Sequence, residues 1–120
     1  MMYIGNDIVE VSRIHRIFKM YHDHFLNKVF SEKEINVVKQ KNKDAVYLSG
    51  KFAAKEASKK ALLSSGIVKN ISFKSIQVLN HKNGAPYIDL NGIILKDIKD
   101  FKVSISHTNT YATAFVILEL

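Results

Sequence analysis

Two carboxylates stand where the residues around them argue against a charge. Asp7 interrupts the apolar run Met2-Tyr3-Ile4-Gly5-Asn6-Asp7-Ile8-Val9, which otherwise reads as a buried strand. Glu56 falls inside Lys51-Phe52-Ala53-Ala54-Lys55-Glu56-Ala57, midway along an alanine-rich helical stretch whose small side chains invite close packing. An ionised carboxylate near a core is costly unless a cation or a set of donors compensates it. Two of them, each in a short and specific setting, point to a shared cation. Two carboxylates and a phosphate are a common ligand set for magnesium, which keeps several waters.

Each residue also has a plain structural alternative. Phe52, Glu56 and Lys60 recur one helical turn apart and share a face. Glu56 and Lys60 are then either an exposed ion pair worth about 0.2–0.5 kcal/mol, or a metal-holding carboxylate beside a lysine that meets phosphate. Asp7 is disfavoured in a strand interior, so it either caps the helix that begins near residue 9 or binds a ligand. Gly5, two residues earlier on the same strand face, removes a side chain where another element must approach closely. His107 ends the apolar face of its strand beside Ser104, Ser106 and Thr108. It is a satisfied structural residue, a phosphate contact or a proton carrier near neutral pH. The chain contains no glycine-rich phosphate loop, no Ser-His-Asp pattern and no zinc-ligand spacing.

The elements that must position these residues follow from periodicity. Residues 2–9 read as a strand that hands directly to a helix over 10–21, with Val11, Ile14, Ile17, Phe18 and Tyr21 as its apolar stripe. Residues 24–30 read as a short helical turn. Ser31, with Glu34 three residues on, is a capping signal for the next helix. A polar bridge at 39–44 leads to the main helix at 45–64, where Ala53, Ala57 and Ala61 make a small-residue stripe. Ile71 to Leu79 reads as one strand, residues 81–86 as a turn, Pro86 to Leu90 as a second strand and 91–98 as a short helix. Phe101, Val103, Ile105 and His107 alternate with polar residues as a strand should, and Asn109-Thr110 turns into a final strand from Tyr111 to Leu118. This order implies one α+β domain over residues 1–120, a mostly antiparallel sheet packed against a long helix.

Composition sets the outer bounds. The chain has 120 residues, enough for one modest core. It has no cysteine, which excludes disulfides, thiolate chemistry and Cys-ligated zinc. No apolar stretch approaches the roughly 20 residues of a membrane helix, and the N-terminus lacks a signal-peptide layout, so a soluble cytoplasmic protein is the expectation. The net charge of +7 favours an anionic partner: nucleic acid, an acidic protein, a phosphorylated ligand or an anionic membrane.

Together the segments resemble the bacterial holo-acyl-carrier-protein synthases, the short 4′-phosphopantetheinyl transferases. The resemblance covers almost the whole chain. It lies in Gly5-Asn6-Asp7-Ile8-Val9-Glu10 with Arg13-Ile14, in Phe25 to Phe30 with Ser31-Glu32-Lys33-Glu34, and in Leu48 to Ala57 with Lys60-Ala61. It continues through Asn83-Gly84-Ala85-Pro86-Tyr87 and Ser104-Ile105-Ser106-His107-Thr108 with Tyr111-Ala112. Phe-Ala-Ala-Lys-Glu-Ala and Ser-Ile-Ser-His-Thr, in this order, are highly specific.

The resemblance implies magnesium-dependent transfer of the phosphopantetheine arm of coenzyme A to a serine of an apo acyl carrier protein, releasing adenosine 3′,5′-bisphosphate. It implies a cytoplasmic enzyme of fatty acid biosynthesis and lipid metabolism. Asp7 and Glu56 would be the magnesium ligands, and Lys60 would neutralise charge on the leaving phosphate. His107 would contact the coenzyme A phosphates, with Ser106 and Thr108 near them. Asn83, Gly84 and Pro86 of the turn, together with Lys51, would line the coenzyme pocket. Arg13 would meet the acidic helix of the carrier, in a docking surface that includes His24 and Lys28, which stand where the family often has arginine. Lys51 likewise replaces a common arginine, keeping the charge without the bidentate fork. The serine's proton would pass through a water on the ion to a site carboxylate, Glu56 before Asp7, with His107 as the second candidate. The short members resemble homotrimers with active sites between subunits, and Phe115, Ile117 and Leu118 are candidates for interface or core. The longer members are pseudodimers of two such units.

A rival of another class is a small basic RNA-binding domain, supported by the net charge. The basic residues are spread along the chain, and no aromatic–basic sheet motif accompanies them. Neither nucleic acid nor membrane is therefore expected as a partner. The retention of Asp7, Glu56, Lys60 and His107 argues against an inactive relative.

Overall fold

The computed structural model describes residues 1–41 and 45–120. Strand β1 (Met2–Glu10) runs straight into helix α1 (Val11–Val29), followed by α2 (Glu32–Lys41) and the long α3 (Ala45–Ser65). A 3-10 turn (Phe73–Ser75) precedes the hairpin of β2 (Gln77–Asn80) and β3 (Pro86–Asp89), and β4 (Asp100–His107) and β5 (Tyr111–Glu119) complete the order. β1, β5 and β4 form an antiparallel three-stranded sheet with β5 in the middle, while β2 and β3 pair as a separate two-stranded unit. The expected antiparallel architecture against a long helix is present, split into two sheets.

Alternation decides which side chains meet α3. Tyr3, Gly5, Asp7 and Val9 form the shielded face of β1, in register with Leu118, Val116, Ala114 and Ala112 of β5. Against them lie Ala53, Ala57 and Ala61 of α3, all fully buried. Small residues on both sides let the helix lie close to the strands, as the alanine stripe and Gly5 predict. A Cβ added to Gly5 would overlap the Ala57 carbonyl oxygen and sit 2.7 Å from its carbonyl carbon. The opposite sheet face is apolar yet open: Ile4 and Ile8 are 59% and 65% exposed, and Phe115 is exposed between their rows.

Three expectations change. The turn expected at 24–30 is continuous with the first helix, and the break between them survives as a kink at Tyr21 (φ −126°, ψ 23°). The strand expected over 71–79 begins only at Gln77, because residues 72–76 close two 3-10 hydrogen bonds, Ser75 to Ser72 and Ile76 to Phe73. The helix expected over 91–98 is absent. Asn91 and Gly92 both adopt positive φ (46° and 85°), which a right-handed helix excludes; they form one turn, closed by Ile93 N–H to the Leu90 carbonyl, and a second isolated turn, Ile98 to Leu95, follows. The polar bridge expected at 39–44 lies partly outside the described residues.

Candidate active site

Asp7 and Lys60 meet where β1 crosses α3, and Glu56 lies one helical turn before Lys60 on the same face of α3. Gly5 brings the β1 backbone onto the α3 backbone at Ala57, next to Glu56 on the helix and two residues from Asp7 on the strand. Lys60, one turn beyond Glu56, reaches back across this crossing. Its Nζ donates to Asp7 Oδ1 at 3.1 Å and to the Asn6 carbonyl at 3.0 Å. This settles both structural alternatives. Asp7 sits inside the strand, four residues before α1 begins, so it is not the helix cap. Lys60 pairs with Asp7, and no ion pair joins it to Glu56 among the described residues. The Asp7 side chain is 16% exposed and that of Lys60 53%; Glu56 is half-buried. The cluster is therefore shielded on the Asp7 side and open on the lysine side.

Ser106, His107 and Thr108 lie at the exposed end of β4. His107 pairs with Ala112, which pairs with Val9, so His107 shares the inner sheet face with Asp7 but sits one row away and two strands over. Strand spacing of about 4.8 Å and a rise of about 3.4 Å per residue put the two Cα atoms roughly 12 Å apart. His107 and Asp7 do not touch, but a ligand of several phosphates would span the interval. Thr108 organises the β4–β5 turn: its Oγ1 accepts from the backbone N–H groups of Thr110 (3.1 Å) and Tyr111 (3.0 Å).

The β2–β3 turn is built by its own polar residues. Gly84 takes φ +92°, a conformation that costs other residues dearly. The Asn83 side chain accepts from the Ala85 N–H at 3.0 Å, and Asn80 Nδ2 donates to the Gly84 carbonyl at 2.9 Å. Lys51 is drawn inward here. Its buried ammonium donates to the Val78 carbonyl and, at 2.9 Å, to Asn80 Oδ1. It therefore braces the turn from behind. A groove of about 560 Å³ opens between α2 and the hairpin, lined by Lys33, Asn36, Asn80, His81 and Tyr87 among others. None of Asp7, Glu56, Lys60 and His107 lines it.

Arg13, His24 and Lys28 are all exposed on α1, Arg13 before the kink at Tyr21 and His24 and Lys28 after it.

Sequence reasoning missed the most buried charges among the described residues. Lys55, immediately before Glu56, is 0% exposed and its Nζ bonds Glu34 Oε1 at 2.5 Å and the Ile76 carbonyl at 2.5 Å. Glu34 completes a capping box with Ser31, accepting from the Ser31 N–H at 3.0 Å while Ser31 Oγ accepts from the Glu34 N–H at 3.3 Å. The other Glu34 oxygen accepts from the Val78 N–H at 3.1 Å. Burial pushes the Lys55 ammonium below the ordinary lysine range, and the Glu34 charge and hydrogen bond pull it back. The Tyr47 hydroxyl is raised by burial and, secondarily, by the same carboxylate. The capping box was the visible signal; the lysine across the fold was not.

Comparison with known proteins places this geometry. The family model described as the 4′-phosphopantetheinyl transferase superfamily matches residues 3–116. A holo-[acyl-carrier-protein] synthase of Protochlamydia amoebophila is 40% identical over 95% of this chain and 94% of its own. The crystal structure of the Helicobacter pylori holo-[acyl-carrier-protein] synthase in complex with coenzyme A superposes with a TM-score of 0.82 at 36% identity, covering 97% of this chain and 99% of that one. The Bacillus anthracis holo-(acyl-carrier-protein) synthase in complex with CoA (3′,5′-ADP) gives 0.79 at 35% identity, covering 99% and 98%. The chain belongs to the 4′-phosphopantetheinyl transferase superfamily, as an enzyme of its holo-[acyl-carrier-protein] synthase group.

Proposed function

We propose that this protein transfers the 4′-phosphopantetheine arm of coenzyme A to a serine hydroxyl of an apo acyl carrier protein, with magnesium, releasing adenosine 3′,5′-bisphosphate. The observation that carries the reading is the meeting of Asp7 and Lys60 at the crossing of β1 and α3, one helical turn from Glu56, in a chain matched over its length by synthases crystallised with coenzyme A.

The donor set fits magnesium. Asp7 and Glu56 offer hard oxygen ligands from adjacent elements, and no group of three or more acidic or histidine side chains gathers among the described residues. Substrate phosphate and water would complete the coordination, which is how magnesium is commonly held. When bound, the ion supplies charge neutralisation at the pyrophosphate. The rest falls to the chain. The serine oxygen bonds to the phosphorus that bears the pantetheine arm, and the bond from that phosphorus to the bridging pyrophosphate oxygen breaks. Phosphoryl transfer of this kind needs positioning and charge compensation rather than covalent help. Lys60 leaves Asp7 for the departing phosphate, a short swing for a half-exposed side chain. Glu56 takes the serine proton, with His107 as the second candidate. Ser106, His107 and Thr108 contact the phosphates from the end of β4, and Asn83, Gly84 and Pro86 line the coenzyme pocket. Lys51 contributes by bracing that turn.

The exposed cations Arg13, His24 and Lys28 on α1 suit an acidic carrier, steering it in and fixing its register. The open apolar sheet face supports assembly as a homotrimer: Ile4, Ile8 and Phe115 lie on it, whereas Leu118 is fully buried and belongs to the core. We place the reaction in the cytoplasm, in fatty acid biosynthesis; no helix among the described residues is long and apolar enough to cross a membrane.

The deciding experiment incubates the protein with coenzyme A, magnesium and an apo acyl carrier protein, read by intact mass. The carrier should gain one phosphopantetheine. An unmodified carrier, beside a known synthase that succeeds on the same preparation, would sink the assignment.

A further inference from the structure

Among the described residues, one edge of the hairpin β2–β3 is paired with no strand, and α2 and α3 cover it with charged side chains. Residues 76 and 78 turn their polar backbone groups away from β3. The Ile76 carbonyl accepts from Lys55, the Val78 carbonyl from Lys51, and the Val78 N–H donates to Glu34. The spacing is matched. Lys51 and Lys55 are four residues apart on α3, a rise of about 6 Å, and residues 76 and 78 are two apart on an extended chain, about 6.7 Å. Two successive turns of the helix thus serve two successive carbonyls of one edge. The same network continues outward, from Ser31 Oγ to Gln77 Oε1 at 2.6 Å and from Gln77 Nε2 to Asp89 of β3 at 2.6 Å.

Lys55 is adjacent to Glu56 in the chain, and the hairpin it grips ends in the turn of residues 83–86. We propose that Glu34 and Lys55 are positioning residues for the transfer reaction: they fix the coenzyme-contacting turn relative to the helix that carries Glu56 and Lys60. The inference rests on the proposed transferase reading and its assignment of that turn to coenzyme A. Hydrogen bonds to both edges of β2, and a helix whose rotation is locked by a buried ion pair, leave the turn one position with respect to α3. That holds whether the turn serves the carboxylates of its own chain or those of a neighbour.

The test uses the full-length protein in two variants. Glu34→Gln/Lys55→Met removes both buried charges together, leaving neither one stranded, while the introduced amide retains an acceptor for the Val78 N–H. Lys51→Met leaves the buried pair whole and removes the second grip on the edge. Amide hydrogen exchange and steady-state kinetics are measured on both. In the double variant the β2 and β3 amides should exchange about tenfold faster while β5 keeps its protection, and KM for coenzyme A should rise about tenfold with kcat within about threefold. Lys51→Met should shift both quantities in the same direction by a smaller factor. Equal loss of protection in both sheets, or a kcat loss at unchanged KM, would overturn the inference, because either is what a merely structural pair produces. A parent protein that modifies no carrier overturns the transferase reading and this inference with it. An active parent whose variants keep the parent KM overturns this inference alone.

Discussion

Helix α3 carries two lysine–carboxylate pairs five residues apart, and they have opposite characters. Lys55 and Glu34 are 0% and 1% exposed and 2.5 Å apart, and their other hydrogen bonds go to backbone or to a capping serine. Lys60 and Asp7 are 3.1 Å apart at 53% and 16% exposure, with half-buried Glu56 one helical turn before Lys60. The same two functional groups serve as a fixed joint in one place and as an exchangeable contact in the other. Burial makes the difference. A buried pair cannot give up a partner without stranding a charge in a medium that does not solvate it. A pair facing water can trade its partner for an ion or a phosphate at little cost.

The largest effect should come from breaking the fixed joint. Glu34→Ala leaves the Lys55 ammonium buried without its counter-charge and the Val78 N–H without its acceptor, which should cost about 3–5 kcal/mol of stability. Urea unfolding followed by circular dichroism reads this directly. A loss below about 1 kcal/mol would mean that the pair is no more structural than a surface bridge.

Next comes the exchangeable cluster, where the loss should fall on turnover. Glu56→Gln is close to isosteric and breaks no side-chain hydrogen bond among the described residues. It should lower kcat by at least about 10²–10³ with an unfolding midpoint close to the parent's. Retention of near-parent activity would remove Glu56 from the metal and proton roles even with the family assignment intact.

The crossing that assembles the cluster can be attacked from the backbone. Gly5→Ala places a methyl group against the Ala57 carbonyl, and a helix backbone yields less readily than the end of a side chain. Overpacking of this kind costs about 1–3 kcal/mol. Because α3 must shift away from β1 to admit the methyl, kcat should fall further than stability alone explains. A stable, fully active Gly5→Ala protein would show that the close approach at Ala57 does not position the site.

The contrast between the two pairs also explains what was legible in the sequence. Asp7, Gly5 and the alanine stripe stood out because each violates or exploits a local pattern, a charge or a gap in a strand, or small residues at helical spacing. β4 was legible from its period-2 alternation, β1 from its apolar run and β5 from the Asn109-Thr110 turn before it, and each of these is a local property. Glu34 and Lys55 each had a satisfactory local reading, as a capping acid and as one more helix lysine, and only the fold joins them across 21 residues. Lys51 was placed at the coenzyme pocket by the resemblance alone, and nothing local says that its ammonium turns inward to Val78 and Asn80. The region 91–98 misled in the other direction. Ile93, Ile94, Leu95 and Ile98 imitate a helical stripe, but Asn91 and Gly92 settle in the left-handed region, and Ile94 ends up 80% exposed. Apolar spacing there does not mark a helical face.

The smallest predicted effect is also the sharpest test of the contrast. Lys60→Met keeps the aliphatic stem and removes only the charge. Its ammonium is half in water, so the parent pair has already lost much of its Coulomb attraction to solvent and loses side-chain entropy in forming. Exposed pairs of this kind contribute about 0–1 kcal/mol, and the unfolding free energy should move by no more than that. A double-mutant cycle with Asp7→Asn isolates the coupling from whatever else each change does. A coupling of several kcal/mol would make Asp7–Lys60 a second fixed joint, and Lys60 would then not be released to meet a phosphate. A coupling near zero, together with a collapse in turnover for Lys60→Met, is the signature of a contact built to be exchanged.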